Sequence, residues 1–257
     1  MKKQLFIICL FIICLLTVVV NVIADDTPRH RQLGWDVEVK QGVNIGAVSP
    51  FPLTAEVRSI DEYSPRLNGT AEVVVTRWLP TTPKLGVSMG LKFEEKGMKT
   101  TAQVKNQRTE IVSSEQNIEG YYTGKVSTSY SATALTLPVM LNYRLNKSWK
   151  VRGGFYYSYM LSQSFTGFVS DGYLRVGTPV GEKLTFEDDS MGAYNFNEHL
   201  RRHNGGFQVG GSWLAIRDFT VNADLTWGVG TIFEKAFKGT GMDLYPIFMN
   251  FTFGYRF

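Results

Sequence analysis

The chain of 257 residues is poor in cysteine, and its two cysteines, Cys9 and Cys14, lie close to its start. Both fall in an apolar run that follows a short basic start and ends before Ala24, a pattern that predicts a secretory signal peptide cleaved after Ala24. The alternative is a retained anchor helix, because the run is nearly long enough to span a bilayer. We predict a signal peptide over 1–24 and one domain over 25–257. Without cysteine, that domain can hold no disulfide, thiolate metal site or cysteine nucleophile.

An excess of charge of either sign is also lacking. The chain has 27 basic and 23 acidic side chains. Removal of 1–24 leaves 25 basic and 23 acidic, a net charge of +2, which does not favour nucleic acid as a partner. Beyond the first segment, no stretch is long and apolar enough for a spanning helix. If the domain lies in a membrane, it must do so as a β-barrel.

Motifs of enzyme chemistry are missing: there is no GxSxG, no HExxH and no phosphate-binding loop. The residues whose side chains are suited to catalysis or metal binding lie in one segment: Glu187, Asp188, Asp189, Ser190, Glu198, His199 and His203. At helical spacing, His199 and His203 would be able to share a metal. However, no third ligand is evident, and Arg201 and Arg202 disfavour a cation. A solvated polar loop is the more common interpretation. We therefore predict no catalytic, cofactor-binding or metal-binding residue and no cofactor.

What the sequence has in abundance is period-two alternation of apolar and polar residues, which is typical of β-strands. Eight segments show it: 33–46, 68–79, 84–97, 135–145, 149–162, 205–216, 219–230 and 245–257. Most of them reach the ~9–11 residues that a tilted strand needs to cross a bilayer. The phase of the second segment stays open, because Val73, Val74 and Val75 are consecutive.

The connections alternate between short and long. The short ones are Pro80 to Lys84, Asn146 to Ser148 and Arg217-Asp218, and the long ones are 47–67, 97–128, 163–202 and 231–243. Bacterial outer-membrane barrels combine short periplasmic turns with long outer loops in this way. The sequence therefore predicts an all-β fold, an eight-stranded antiparallel transmembrane β-barrel with short periplasmic turns, long extracellular loops and both termini in the periplasm.

The two faces of the strands decide between a soluble and a spanning barrel. One face is large and aromatic. The other carries Gly, Ser, Thr and Asn with single charges, namely Lys92, Glu94, Arg144, Lys150, Arg152, Asp224 and Arg256. A lipocalin-like barrel is apolar inside, whereas a spanning barrel is apolar outside.

We predict the spanning arrangement, with the charges paired in a narrow interior. A pore lining or proton path is the alternative role for these charges. Rings near strand ends are expected at the membrane interfaces: Trp35, Trp78, Tyr143, Trp149, Trp213, Trp227, Tyr245, Tyr255 and Phe257.

The last strand has aromatic residues at Phe251, Phe253, Tyr255 and Phe257. This spacing resembles the C-terminal signal by which the outer-membrane assembly machinery recognises its clients. Physically, such a strand can pair with another edge by β-augmentation before the barrel closes. We therefore expect the assembly machinery to be a partner through this strand.

Three further stretches carry a family resemblance: GLKFEEKGMKT (90–100), ALTLPVMLNYRL (134–145) and WKVRGGFYYSYML (149–161). Together with the FTFGYRF end, they resemble the PorT-like family of small outer-membrane β-barrels. The resemblance implies an outer-membrane protein of Gram-negative bacteria. It implies a possible link to protein secretion by analogy, and it carries over no catalytic residue.

The leading functional hypothesis is a non-enzymatic outer-membrane barrel. Its long outer loops, above all 97–128 and 163–202, would carry binding, adhesion or assembly contacts. The expected partners are outer-membrane lipid, the assembly machinery and a surface or secretion partner, with no nucleic acid. Two alternatives remain open: a rim enzyme acting on lipid or peptide, and a lipocalin-like periplasmic carrier.

Overall fold

The computed structural model describes residues 34–112, 117–186, 192–237 and 239–257. This part of the chain is almost entirely β-structure. Its strands are β1 (Trp35–Pro50), β2 (Val57–Pro65), β3 (Asn68–Trp78), β4 (Leu85–Val112), β5 (Asn117–Arg144), β6 (Trp149–Val176), β7 (Lys183–Phe186), β8 (Gly192–Asn195), β9 (His203–Ile216), β10 (Phe219–Gly228) and β11 (Leu244–Arg256). A single-turn 3-10 helix covers Asn197–His199. No helix in the described ranges is long and apolar enough to cross a membrane. The predicted signal peptide lies outside the described residues.

Eight of the strands form a closed antiparallel ring in the order β1, β3, β4, β5, β6, β9, β10 and β11. The ring closes between β11 and β1, where Glu38 pairs with Arg256 and Pro50 with Leu244. Each ring strand overlaps one of the eight predicted segments, so the prediction of an eight-stranded antiparallel barrel is confirmed.

The three short turns are confirmed, and they lie at one end of the ring, the short-turn end. The predicted loop 97–128 is wrong. Strands β4 and β5 have 28 residues each and stay paired from Leu85↔Tyr143 to Val112↔Asn117. Strand β6, also 28 residues long, occupies the first part of the predicted loop 163–202. The sequence did not predict these strand continuations because the residues on their two faces differ little in polarity. The serine- and threonine-rich stretch before Leu135 is an example.

The predicted orientation of the two faces is confirmed. Val139 and Phe155 are 43% and 64% exposed on the outside, whereas Lys92 and Asp224 are 2% and 3% exposed inside the ring. The exposed side chains form an apolar band around the barrel: Val87, Met89, Leu91, Leu137, Val139, Leu141, Val151, Phe155, Phe207, Val209, Val221, Met249, Phe251 and Phe253. A patch this large is unfavourable in water and favourable against lipid.

The structure resolves the phase of β3. Glu72, Val74 and Trp78 point into the ring, while Val75 is on the outside. The expectation that Trp78 lies at the membrane interface is wrong, because its side chain is only 5% exposed. Its indole nitrogen donates a hydrogen bond of 2.7 Å to Asp36, and an indole that finds such a partner is stable inside.

Strand β5 shows where the apolar band ends. Its outward residues from Leu135 to Tyr143 are apolar or aromatic, whereas the outward positions from Thr123 to Thr133 carry Thr, Lys and Ser. Its inward face changes in the opposite sense, from Asn142 and Thr136 to Ala132 and Tyr130. One strand therefore has the polarity of a membrane strand at one end and of a soluble β-protein at the other.

Candidate functional site

The interior of the barrel within the apolar band is a stack of ion pairs. Each pair joins strands that are distant in sequence: Asp36 with Arg144 (3.3 Å), Glu38 with Lys150 (3.3 Å), Lys40 with Glu72 (3.2 Å), and Arg152 with Asp224 (2.6 Å from Nε to Oδ1). Buried charges are tolerated when each has a close counter-charge and hydrogen bonds. This arrangement agrees with the predicted paired interior.

Glu94 is the centre of the highest layer of charges. Its carboxylate lies 3.1 Å from Nζ of Lys92 and 3.0 Å from Nζ of Lys96, and it accepts hydrogen bonds from Asn44 and Thr136. Lys96 also faces the ring of Phe248, 5.7 Å from its centroid. Lys96 thus lies at the boundary between the polar lumen and the apolar core, and it contacts both of them.

The space left among these charges is small. A cavity bounded by Glu38, Lys40, Glu72, Lys150 and Arg152 has a volume of about 10 Å³. A cavity needs roughly 10–15 Å³ to hold one water molecule. Side chains therefore fill this part of the lumen, as expected for a barrel of eight strands.

Beyond the apolar band, strands β4, β5 and β6 continue as an extension of the barrel. The extension comprises residues 98–112, 117–133 and 162–176 of these strands together with β2, β7 and β8. Strand β2 pairs with β4, and β8 pairs with both β4 and β6. Three long strands and three short ones therefore build a sheet-walled structure in place of the predicted long loops.

The extension has its own apolar core, continuous with the top of the ring. Its buried members include Val48, Met98, Val104, Tyr122, Tyr130, Phe165, Val169, Leu174, Tyr194, Phe196, Leu200, Ile232, Phe233, Leu244 and Phe248. Fully burying one side chain of this kind stabilises a fold by about 1.5–3 kcal/mol. The core therefore holds the extension in a defined shape.

Buried tyrosines tie the strands of the extension together. The Tyr194 hydroxyl lies 2.6 Å from Oγ1 of Thr128, and it donates to the carbonyl oxygen of Ser127 at 3.0 Å. Burial raises the pKa of Tyr194 well above its usual range. The hydroxyl therefore stays protonated, and it remains a hydrogen-bond donor at any physiological pH.

Sequence reasoning missed this core. Phe165, Phe196, Phe233 and Phe237 lie in the predicted loops 163–202 and 231–243, yet their rings pack together. The centroids of Phe165 and Phe233, for example, are 5.0 Å apart. The available signal was the density of aromatic residues in supposed loops, which are more often polar.

The structure separates the two histidines of the predicted rim segment. His199 ends the 3-10 helix and stacks on Phe237 at 4.4 Å, whereas His203 begins β9 and contacts the Tyr157 hydroxyl through Nδ1 at 2.5 Å. The helical spacing considered for them is therefore wrong. Among the described residues, no group of three His, Cys, Asp or Glu is placed to hold a metal ion. Of the other candidates, Glu198 lies in the 3-10 helix. The remaining four lie outside the described residues: Glu187, Asp188, Asp189 and Ser190.

Comparison with known proteins gives one family. Residues 24–234 match the model of the outer membrane protein beta-barrel domain. This match covers well over half of the chain. No curated protein matches the chain.

Solved structures of similar proteins are remote in sequence. Ail, the attachment invasion locus protein of Yersinia pestis, is 11% identical with a TM-score of 0.36, covering 86% of this chain and 98% of its own. Neisserial surface protein A is 8% identical with a TM-score of 0.31, covering 87% and 97%. The translocator domain of the autotransporter NalP from Neisseria meningitidis is 11% identical with a TM-score of 0.25, covering 89% and 94%. Because these identities and TM-scores are so low, the family of the chain is assigned from the family model alone.

Proposed function

Because the chain belongs to the family of outer membrane protein beta-barrel domains and is located in the bacterial outer membrane, we propose that it is a non-enzymatic barrel whose extension binds other molecules at the cell surface. The short-turn end then faces the periplasm, and the extension faces the outside. Rigid scaffolds that display surface residues in this way commonly carry binding contacts.

The observation that carries this proposal is the length and packing of the extension. Crossing the bilayer takes about 9–11 residues of a tilted strand. Strands β4, β5 and β6 have 28 residues each, so more than half of each strand lies beyond the apolar band. A barrel that only had to span the membrane would need no such structure, whereas a barrel that presents a fixed surface would.

Assembly of the barrel involves a contact of another kind, through its last strand. In the closed ring, β11 is paired on both sides, with β1 and with β10. We expect the assembly machinery to engage β11 before β1 takes its place, when the strand still has a free edge. The PorT-like affiliation and a link to protein secretion remain proposals by analogy.

The alternatives receive less support. A lipocalin-like carrier requires an apolar interior and a polar exterior, and the burial of Lys92 and the exposure of Phe155 have the opposite sense. A rim enzyme would need His199 and His203 in one site, and they lie in different elements with different aromatic partners.

Site-specific photo-crosslinking tests the proposal. A crosslinker is placed in the living cell at Lys99 or Lys105, which are exposed on the extension, and at Lys147, which is exposed in a short turn. We expect a discrete crosslinked partner from Lys99 or Lys105 and not from Lys147. A partner captured from Lys147 alone would favour a periplasmic role, such as secretion, and would contradict surface binding. The absence of any adduct at Lys99 and Lys105 would contradict it as well.

A further inference from the structure

The barrel wall has a break on one side, just beyond the apolar band. Strand β1 pairs with β3 from Trp35↔Arg77 up to Asn44↔Asn68. Above that level, β1 continues to Pro50 and pairs only with β11, while β2 pairs only with β4. Within the described residues, no strand pairing joins β1 to β2. We call this region, between residues 45–50 of β1 and β2, the wall gap.

A side chain of β2 bridges the wall gap. The hydroxyl of Tyr63 in β2 donates a hydrogen bond of 2.9 Å to the carbonyl oxygen of Gly46 in β1. One exposed hydrogen bond contributes little compared with a continuous ladder, since its net contribution is about 0.5–1.5 kcal/mol. This hydrogen bond is therefore a weak link across the gap.

An apolar cavity of about 180 Å³ lies behind the wall gap. Its wall includes Val48 of β1, Ile60 of β2, Met98 and Val104 of β4, and Phe165 of β6. None of the described residues that line it carries a charge. An engineered apolar cavity of about 150 Å³ stays dry and binds benzene, so this cavity has the size and the chemistry to hold an alkyl segment.

Exposed apolar side chains lie at the mouth of the wall gap. Ile60 and Leu67 are 59% and 81% exposed, and Leu53 and Phe51 are also exposed. Phe51, just after β1, packs edge-on against Trp227 of β10, with 4.9 Å between ring centroids, so it extends the outer aromatic surface on the β11 side of β1. At the same level, the outward face of β5 carries serine and threonine. Apolar side chains therefore lead from the band to the cavity at the gap, alongside the exposed charged residues Arg58, Asp61 and Glu62 of β2.

From the gap, the uncharged cavity and the apolar side chains that lead to it, we propose that the barrel takes up the alkyl chain of an outer-membrane lipid laterally, between β1 and β2. The end of the chain lies in the cavity against Met98, Val104 and Phe165. The chain passes from one apolar environment to another, so the binding is driven by the van der Waals contacts that it gives to a cavity wall otherwise without partner atoms. This lipid site is separate from the surface that the extension presents to a macromolecular partner.

The test uses the full chain in vesicles of phosphatidylethanolamine and phosphatidylglycerol with a trace of phosphatidylethanolamine carrying a diazirine in its acyl chain. After irradiation, adducts are mapped by mass spectrometry. We expect adducts on cavity residues such as Met98 and Val104, in addition to those on the apolar band. Adducts confined to outward residues such as Val139 and Leu141 would overturn the proposal. The wild-type protein alone is sufficient for this test.

A cavity-filling variant sharpens the test. Ala102 lines the cavity, and Ala102→Phe is expected to lower the cavity adducts about tenfold, which corresponds to about 1.4 kcal/mol. Ala223→Phe makes the same change on the exposed outer face and should leave the adducts unchanged. Heat-modifiable gel mobility checks that both variants are folded. Equal cavity adducts in Ala102→Phe and the wild type would overturn the proposal.

A second arm identifies the source of the chain. The same diazirine is carried by a free fatty acid and added to the protein in detergent. Cavity adducts from both probes, or from the phospholipid alone, support lateral uptake of a lipid chain. Cavity adducts from the free fatty acid alone would overturn the lateral route, because a chain within the bilayer would then not reach the site.

Discussion

At the scale of single residues, Glu94 has the most demanding environment in the barrel. It is fully buried and balances two lysines, Lys92 and Lys96, that are themselves buried. Removal of one partner from a buried ionic group leaves charge without compensation, which is more costly than the absence of the whole group. The barrel therefore depends on Glu94 more than on any exposed ion pair.

We predict that Glu94→Gln lowers the free energy of unfolding by about 3–5 kcal/mol, because both lysines lose their counter-charge inside the barrel. The measurement is urea-induced unfolding of the protein in vesicles, followed by tryptophan fluorescence and gel mobility. Glu119→Gln is the matched control, since Glu119 pairs with Arg108 on the exposed surface, and it should have little effect. Similar losses in the two variants would show that burial of the Glu94 charge network is not important.

At the scale of elements, the change of polarity along β5 separates a lipid-facing part from a water-facing part. Both parts belong to one continuous strand with the same neighbours, β4 and β6. The surroundings of the strand therefore change while its pairing does not. The position of the polarity change along β5 therefore marks the level at which the bilayer ends.

We predict that Val139→Arg, within the apolar band, lowers the free energy of unfolding by about 2–4 kcal/mol, because a charge at that depth faces hydrocarbon. Ser129→Arg, on the outward face of the same strand beyond the band, should cost about 0–1 kcal/mol. Unfolding in vesicles of defined lipid measures both. A large loss for Ser129→Arg would mean that the extension is also embedded in lipid.

At the scale of the whole molecule, the barrel combines a polar interior within the apolar band with an apolar core in the extension. Ion pairs fill the ring within the apolar band, and the core of the extension covers them at one end. At the short-turn end, Arg144 lies 3.5 Å above the ring of Trp78 and reaches Asp36. Both ends of the lumen are thus occupied by packed side chains.

We predict that the purified barrel gives no steady ion conductance in planar bilayers, because the cavity among the lumen charges is about 10 Å³. Single-channel recording in concentrated potassium chloride is the measurement, with a 16-stranded porin as the positive control. Stable conductance steps that grow with salt concentration would show an open path through the lumen, the alternative role considered for these charges.

The general plan of the fold was predictable from the sequence because period two is a local signal. Residues such as Leu137 and Val139, with Pro138 between them, show by themselves that one face is apolar. The extension was not predictable in the same way, because Ser127, Ser129 and Ser131 alternate with residues whose burial depends on distant strands. The rim candidates His199 and His203 were close in sequence, but a turn and a strand start place them in different elements.

The sequence by itself determined the number of ring strands, their outward apolar face and the short turns, since each of these depends on neighbouring residues. Only the tertiary structure decided the partners of the buried charges, such as Lys150 with Glu38, which are far apart along the chain. It alone also decided where the wall is left open, because the pairing of β1 with β3 ends at Asn44 while the strand itself continues to Pro50. Pairing between distant strands is a property of the closed ring, and no single segment carries that information.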